Sequence, residues 1–211
     1  MDSLPPSIDH LVYATPDLEA TLRSLAELLG VEAAPGGRHP LWGTRNALLS
    51  LGGRAYFEIV GPDPTQKPPP LPRPFGIDGL SAPRLQTWVV RGENLDPLVS
   101  RARAAGLELG TVEARSREKP DGTLLRWTMT DPYREREGGV IPFLIDWGST
   151  PHPASTSPAG CSLVALRAEH PDPERVRALL AGLGALIPVS SAPRPRLVAT
   201  ISSPRGVHEI S

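Results

Sequence analysis

Apolar and polar positions along the chain repeat one strand–turn–helix pattern three times. The copies are 8–30 (IDHLVYATPDLEATLRSLAELLG), 85–106 (LQTWVVRGENLDPLVSRARAAG) and 162–184 (SLVALRAEHPDPERVRALLAGLG). Each copy has an apolar stretch, a turn rich in Asp, Glu or Pro, and an amphipathic stretch that closes with glycine. The closing glycines are 76 (30 to 106) and 78 (106 to 184) residues apart. A nearly constant period indicates related modules.

The first module is predicted to contain one helix and several strands. The pattern predicts a strand over 9–14 and a helix over 16–29. We predict Thr15 as the N-cap of this helix. Two further strands are predicted at 46–51 and 55–60, joined by a glycine pair typical of a hairpin.

The other two modules follow the same order. In module two we predict strand 85–90, helix 95–105, a short strand near 107–112, and strands 123–129 and 140–146. In module three we predict strand 162–167, helix 172–183, and a hairpin of 196–201 and 207–210. Few residues follow the last helix, so module three is expected to be a truncated copy that lacks one strand.

Proline-rich segments divide the chain into five parts. The predicted boundaries are 1–61 for module one, 62–83 for a connector, 84–148 for module two, 149–160 for a linker and 161–211 for module three. A truncated module buries little surface by itself and must be covered. We slightly favour cover from a second subunit, and hence a homodimer, over docking within the chain.

Composition and charge exclude several classes of protein. The formal net charge is −1 and no long run of one sign occurs, which argues against nucleic-acid or anionic-membrane partners. The first ten residues do not resemble a signal peptide, and no apolar run is long enough to cross a bilayer. The single cysteine, Cys161, cannot form an internal disulfide. We therefore expect a cytoplasmic protein without a membrane partner.

Candidate binding residues cluster in one glycine-rich stretch of module one. This stretch, 36–46, is predicted as a loop that brings Arg38, His39 and Asn46 to a cleft as donors to a ligand. Its alternative interpretation is an ordinary solvated loop. Trp88, on the first strand of module two, is expected in the core or the wall of the pocket. Dinucleotide, nucleotide-triphosphate, nucleophile-elbow and zinc-finger motifs do not occur.

Several sequence motifs resemble a known family. The motifs are IDHLVYATPDL, GGRHPLWGTRNALLSLG, YFEIVGPDP, PFGIDGL, KPDGTLLRW, PFLIDWG and LRAEHPDP. They are similar to the glyoxalase-like domain group of the vicinal oxygen chelate superfamily. The resemblance implies an α+β fold, in which tandem βαβββ modules form a curved mixed sheet around a cleft. Modules one and two would pair as one glyoxalase-like domain, followed by the truncated third βαββ module.

The same resemblance implies a metal site in the cleft. In the superfamily pattern, a His or Gln on the first strand and a Glu on the last strand of each module bind a divalent metal. The matching positions in module one are His10 and Glu58. Imidazole and carboxylate suit Zn, Fe, Mn, Ni or Co, and open coordination positions would accept the oxygens of a substrate. The resemblance also covers members that bind no metal.

Module two leaves the ligand set open, because its strand register is ambiguous by one residue. One register places Gln86 and Asp146 inward, where they would complete a four-ligand site with the first module. The other places Thr87 and Ile145 inward, and these supply no such set. Strand faces alternate, so a shift of one residue decides between them.

Two functions therefore follow from the resemblance. The first is a metal-assisted lyase, isomerase or dioxygenase that acts on a small oxygenated organic molecule, with Glu58 or Asp146 moving a proton. The second is a metal-free protein that binds or sequesters a small-molecule ligand in the same cleft. An inward Gln86 and Asp146 would favour the enzyme, and an inward Thr87 with Ile145 or Phe143 would favour the binding protein.

Overall fold

The computed structural model describes residues 8–119, 121–134 and 136–211, and in them a strand, a helix and three strands follow one another three times. The first set is β1 (Ile8–Ala14), α1 (Leu18–Leu29), β2 (Ala34–His39), β3 (Thr44–Ser50) and β4 (Tyr56–Pro62). The second is β5 (Arg84–Arg91), α2 (Leu95–Ala104), β6 (Val112–Glu118), β7 (Leu124–Thr130) and β8 (Phe143–Asp146). The third is β9 (Ser162–His170), α3 (Pro173–Leu183), β10 (Val189–Ser191), β11 (Arg196–Ser203) and β12 (Gly206–Ile210).

The first eight strands form one mixed sheet that closes into a barrel. Its order is β1-β4-β3-β2-β6-β7-β8-β5. The pairs β1–β4 and β5–β8 are parallel, and the other neighbours, including β1–β5, are antiparallel. The predicted α+β class and mixed curved sheet are confirmed, and closure of the sheet turns the expected cleft into an enclosed interior.

The helix ends follow from local capping. Asp17, and not Thr15, is the N-cap of α1, and its carboxylate accepts from the Ala20 N–H at 3.0 Å. The Thr15 hydroxyl instead accepts from the Asp17 N–H at 3.1 Å. Gly30 ends the helix at φ 72°, a left-handed conformation that glycine adopts without strain. None of the described helices has the length and apolar character that a membrane crossing requires.

Three predicted strand assignments differ from the structure. The stretch predicted as the loop 36–46 contains β2, because pairing with β3 and, at Arg38–Glu118, with β6 closes the barrel there. A Cβ at Gly37 would lie 2.4 Å from the Glu118 carbonyl oxygen, so glycine permits that closure. The strand predicted near 107–112 begins instead at Val112 and runs to Glu118. Module three has an additional three-residue strand, β10, which pairs with β9.

Two apolar clusters lie on opposite sides of the barrel wall. The outer cluster joins the outward residues of the strands to the helices and to the third set of elements; Leu11, Phe57 and Trp88 belong to it. The inner cluster fills the barrel and contains Val12 and Phe143. Alternation along each strand therefore decides which side chains reach the interior.

The third set of elements docks on the barrel within the same chain. Its sheet has the order β10-β9-β11-β12, and its apolar residues belong to the outer cluster. The Leu163 N–H also donates to the Leu51 carbonyl at 3.0 Å. The cover thus comes from the chain itself, where the sequence slightly favoured a second subunit. A homodimer stays a prediction.

Alanine at position 139 should destabilise the fold, because a Cβ added to Gly139 would lie 1.8 Å from the Gln86 carbonyl oxygen. Gly139→Ala is expected to lower the free energy of unfolding by about 1–3 kcal/mol more than Gly106→Ala. Gly106 is the matched control, since it has a similar φ (83° against 90°) and open space at its Cβ. Urea denaturation measures both; equal losses would contradict the close contact.

Candidate functional site

The barrel encloses a small cavity with polar groups at one side and aromatic rings around the rest. Its volume is about 30 Å³, which is space for about two water molecules. The polar lining comes from β1, β2, β3, β4 and β6, and the aromatic lining includes residues of β7, β8 and the segment between β4 and β5. The lining consists of His10, His39, Trp42, Asn46, Tyr56, Glu58, Val60, Phe75, Arg117, Trp127, Met129, Phe143, Ile145 and Trp147.

His10 lies at the centre of the polar side, buried on β1. Its Nε2 is 3.5 Å from Oε2 of Glu58, and its Nδ1 is 2.8 Å from Oδ1 of Asp9. The ring stacks on Tyr56 with a centroid distance of 4.5 Å. Both ring nitrogens therefore face carboxylates, and the stacked tyrosine holds the ring plane.

Asp9 is fully buried and is held by several donors. The carboxylate contacts His10, accepts from Nε1 of Trp147 at 3.2 Å, and lies 2.9 Å from Nε2 of His152. Arg91 approaches it to 3.7 Å. Burial alone would raise the pKa of Asp9, but the hydrogen bonds from His10 and His152 outweigh it and hold the pKa well below its usual range. Asp9 is thus an anion that orients His10.

Glu58 approaches His10 from the neighbouring strand β4. Val12 pairs with Glu58 in the parallel β1–β4 register, so His10 and Glu58 lie close together on the inner face. Asn46, on β3, donates from Nδ2 to Oε1 of Glu58 at 2.5 Å. One carboxylate oxygen is therefore held by an amide and the other faces the imidazole.

Three further buried groups shape the charge of the cavity. Burial lowers the pKa of His39 to about 4, with the Glu58 charge opposing and the Arg117 charge adding to the shift. Burial also raises the pKa of Tyr56 well above its ordinary value, and it lowers that of Arg117, whose guanidinium donates to the Gly36 carbonyl. His39 and Tyr56 are therefore neutral at pH 7.

The second module contributes apolar side chains to the cavity. Phe143 and Ile145 line it, and Val89 pairs with His10 across the β1–β5 ladder. The register in which Gln86 and Asp146 face His10 is not adopted. A register shift in the β1–β5 pairing lies between the positions of Leu85 and Thr87, which breaks the alternation that the sequence suggested.

The remaining predicted residues lie outside the cavity. Gln86 donates to the Phe75 carbonyl at 2.6 Å, and Asp146 accepts from the backbone of Asn94 and Gly148 at 3.0 and 2.8 Å. Trp88 is in the outer core, where its Nε1 donates to the Val140 carbonyl at 2.7 Å. Arg38 is exposed and pairs with Asp63 at 3.2 Å. Of the predicted residues, the structure brings together His10, Glu58, Asn46 and His39.

The donor set does not fit the four-ligand metal site that the resemblance implies. His10 and Glu58 supply two donor groups, and the second module offers Val89, Phe143 and Ile145 where the other two would be needed. Within 8–119, 121–134 and 136–211, no three His, Cys, Asp or Glu side chains are grouped to hold a metal ion.

Sequence reasoning missed four residues of the site: Asp9, Tyr56, Arg117 and His152. Asp9 and Tyr56 lie within the motifs that contain His10 and Glu58, and their polar or aromatic character on a buried strand was the available signal. Arg117 and His152 carried no local signal. His152 lies between two prolines of the predicted linker, and only the tertiary structure brings it to Asp9.

His39 should make stability depend on pH. Its pKa falls from 6.5 to about 4 on folding, so between these values the unfolded chain binds more protons. The free energy of unfolding should therefore fall as the pH drops below 6.5, by about 2 kcal/mol at pH 5. Asp9 loses its contribution only below the ordinary carboxyl pKa, outside this range.

Urea denaturation at pH 7 and pH 5 measures the effect of His39. In His39→Gln, the free energy of unfolding should differ much less between pH 7 and pH 5, because most of the loss of about 2 kcal/mol, the share of His39, disappears. An unchanged difference would show that His39 is not the group responsible.

The chain resembles known proteins in sequence and in fold. A family model described as a glyoxalase-like domain matches residues 8–184. No curated protein matches the chain at a significant level. A hypothetical protein from Staphylococcus aureus has a similar structure, with a TM-score of 0.67, 11% identity, and coverage of 97% of this chain and 98% of that chain.

Methylmalonyl-CoA epimerases are more distant structural neighbours. The enzyme from Mycobacterium tuberculosis has a TM-score of 0.45 and 22% identity, with 74% of this chain and 96% of that chain covered. A Streptomyces coelicolor epimerase variant in complex with 2-nitronate-propionyl-CoA has a TM-score of 0.44 and 21% identity, with 72% and 100% covered. Identities of this size do not extend to the activity of this chain.

Proposed function

The chain belongs to the glyoxalase-like domain family, and from that premise we propose that its barrel is an acid–base site for a small oxygenated organic molecule. The observation that carries the proposal is the buried sequence of contacts from Asp9 to His10 to Glu58, at 2.8 and 3.5 Å. Ionisable groups removed from water are costly unless paired, and catalytic sites are where such groups recur.

Proton transfer is divided between two groups. Asp9 accepts a hydrogen bond from Nδ1 of His10 and so leaves Nε2 directed at Glu58 and the cavity. Either His10, through Nε2, or the Glu58 carboxylate removes a proton from a C–H next to a carbonyl, which leaves an enolate. The same proton or another returns to the enolate, which yields an isomer or the exchanged starting compound, and no oxidant is needed.

The rest of the lining suits such a ligand. Arg117 supplies a buried positive charge that stabilises an enolate oxygen, as do donors in other enzymes that form oxyanions. Trp127 and Trp147, whose ring centroids are 5.3 Å apart, offer faces to an apolar body. Because the cavity holds about two waters, a ligand must displace part of the lining as it enters.

A metal-free binding protein is the second candidate. Phe143 and Ile145 face the cavity, which favours this candidate, although Thr87 does not line it. The lining is also rich in aromatic rings. Such a protein would bind carbonyl compounds without changing them. The two candidates therefore differ in turnover and not in affinity.

The test is deuterium incorporation in D₂O. Small ketones, 2-oxo acids and 2-hydroxy acids are incubated with the protein. Exchange of the C–H next to the carbonyl or carboxyl carbon is followed by proton NMR. We expect exchange with the wild type and a rate at least 10²-fold lower with His10→Ala. His208→Ala, on β12 and outside the barrel, is the control. Binding without exchange would contradict the enzyme and support the binding protein.

A further inference from the structure

A second, larger cavity lies on the other side of Phe75. Its volume is about 320 Å³, and it lies between the turn after the proline-rich segment, the start of β5 and the segment between β7 and β8. Nothing in the proposed chemistry uses this space. The arginines that line it are Arg73, Arg84, Arg134 and Arg136.

The lining of this cavity, which we call the arginine vestibule, is positively charged. Among the described residues, the lining includes these four arginines and no Asp or Glu. Two of the arginines are held by neighbours: Arg73 pairs with the Asp78 carboxylate at 2.5 Å, and Arg136 donates to the Asp131 backbone carbonyl at 2.7 Å. The chain as a whole carries a formal charge of −1, so this concentration of positive charge is local.

Two of the arginines are available to a ligand. Arg84 is half-buried and Arg134 is exposed, and neither has an ion pair within the described ranges. Guanidinium groups present a planar set of donors that matches carboxylate and phosphate oxygens. A cavity of this size with such donors suits an oxyanion attached to a small organic body.

One aromatic layer separates the vestibule from the inner cavity. Phe75 lines both spaces and stacks on Phe143 with a centroid distance of 5.8 Å. The Phe143 centroid lies 5.5 Å from the guanidinium carbon of Arg136 and 6.0 Å from the His10 ring. Because Phe75 lines both spaces, a ligand that takes the place of the Phe75 ring reaches from the vestibule into the inner cavity.

Phe75 is held in an unusual backbone conformation. Its φ is 62°, in the left-handed region that costs a non-glycine residue free energy, and Gly76 follows at φ 65°. The Gln86 side chain holds its carbonyl at 2.6 Å. Phe75 is thus a strained residue that lines both cavities, and a ligand can displace its ring.

We infer that the arginine vestibule binds the oxyanion of the ligand, a carboxylate or phosphate, while the uncharged end replaces the Phe75 ring beside His10 and Glu58. The assignment of a reacting end rests on the proposed function; the binding of the anion does not. Arg84 and Arg134 are the residues that select the charged ligand, and the chemical class is that of small aromatic or branched organic acids and phosphate monoesters.

The experiment compares charged and neutral ligands of one shape. Dissociation constants of benzoate, phenyl phosphate and benzamide are measured by NMR titration with the wild type and with Arg84→Gln/Arg134→Gln. We expect at least one of the two anions to bind the wild type at least tenfold more tightly than benzamide, and the anion that does so identifies the group. In the double variant the preference should fall to less than threefold.

Matched variants separate this inference from the proposed function. Arg23→Gln/Arg101→Gln removes two exposed charges from helices α1 and α2, and it should keep the preference. His10→Ala should also keep it while losing proton exchange. If the double variant is poorly folded, Arg134→Gln alone, at an exposed side chain, is expected to lower the preference at least threefold.

Two results would contradict anion binding in the arginine vestibule. The first is an anion preference that persists in the arginine variants. The second is a preference that is lost in His10→Ala, which would place the oxyanion at the inner cavity. Failure of the proposed function gives a different result, a normal anion preference without proton exchange in the wild type.

Discussion

Glu58→Gln is expected to slow proton exchange by about 10²- to 10⁴-fold, the range for loss of a general acid or base. Glutamine keeps the shape of the side chain and its contact with Asn46, but it cannot accept the proton from a substrate carbon or from His10. The dissociation constant of the ligand should change by less than threefold, because the lost group acts in the transition state. The measurement is the exchange rate in D₂O at saturating ligand, beside the binding titration.

The matched control for Glu58 is Glu209→Gln. Glu209 lies on β12, the last strand of the third module, and its exposed carboxylate contacts Arg167 at 3.4 Å, away from the barrel interior. Its exchange rate should equal that of the wild type. If Glu58→Gln and Glu209→Gln exchange at the same rate, Glu58 does not move the proton.

Asp9→Ala is expected to lower the free energy of unfolding by about 3–5 kcal/mol. The substitution leaves a cavity and removes the acceptor from His10, Trp147 and His152, which are all within 3.2 Å of the carboxylate. Burying donors without a partner is the larger part of this cost. Asp9→Asn, which keeps the volume and one carbonyl acceptor, should lose less.

Urea denaturation at pH 7 measures these losses. Asp96→Ala is the control, because Asp96 is exposed on α2 and its loss should change the unfolding free energy by less than about 0.5 kcal/mol. If Asp9→Ala is no less stable than Asp96→Ala, the buried contacts of Asp9 do not stabilise the fold.

Much of the fold follows from local pattern. Helix α1 has its apolar stripe at helical spacing and glycine at its end, so its location was predictable to within two residues. The family resemblance implied His10 and Glu58, and the parallel pairing of β1 with β4 brings them together on the inner face. The helix depends only on residues a few positions apart, so its pattern is visible in the sequence.

The rest of the site depends on pairing between distant segments. On β8, alternation turns Phe143 and Ile145, and not Asp146, toward the cavity. On β5, Gln86 lies at an irregularity of the β1–β5 pairing and donates to the Phe75 carbonyl instead. One residue of shift leaves no trace in composition or spacing. The contact of His152 with Asp9 joins residues 143 positions apart, and Arg117 reaches Gly36 across 81. Local periodicity determines the order of strands and helices. Closure of the barrel, which depends on the packing of the whole chain, determines which donors surround His10.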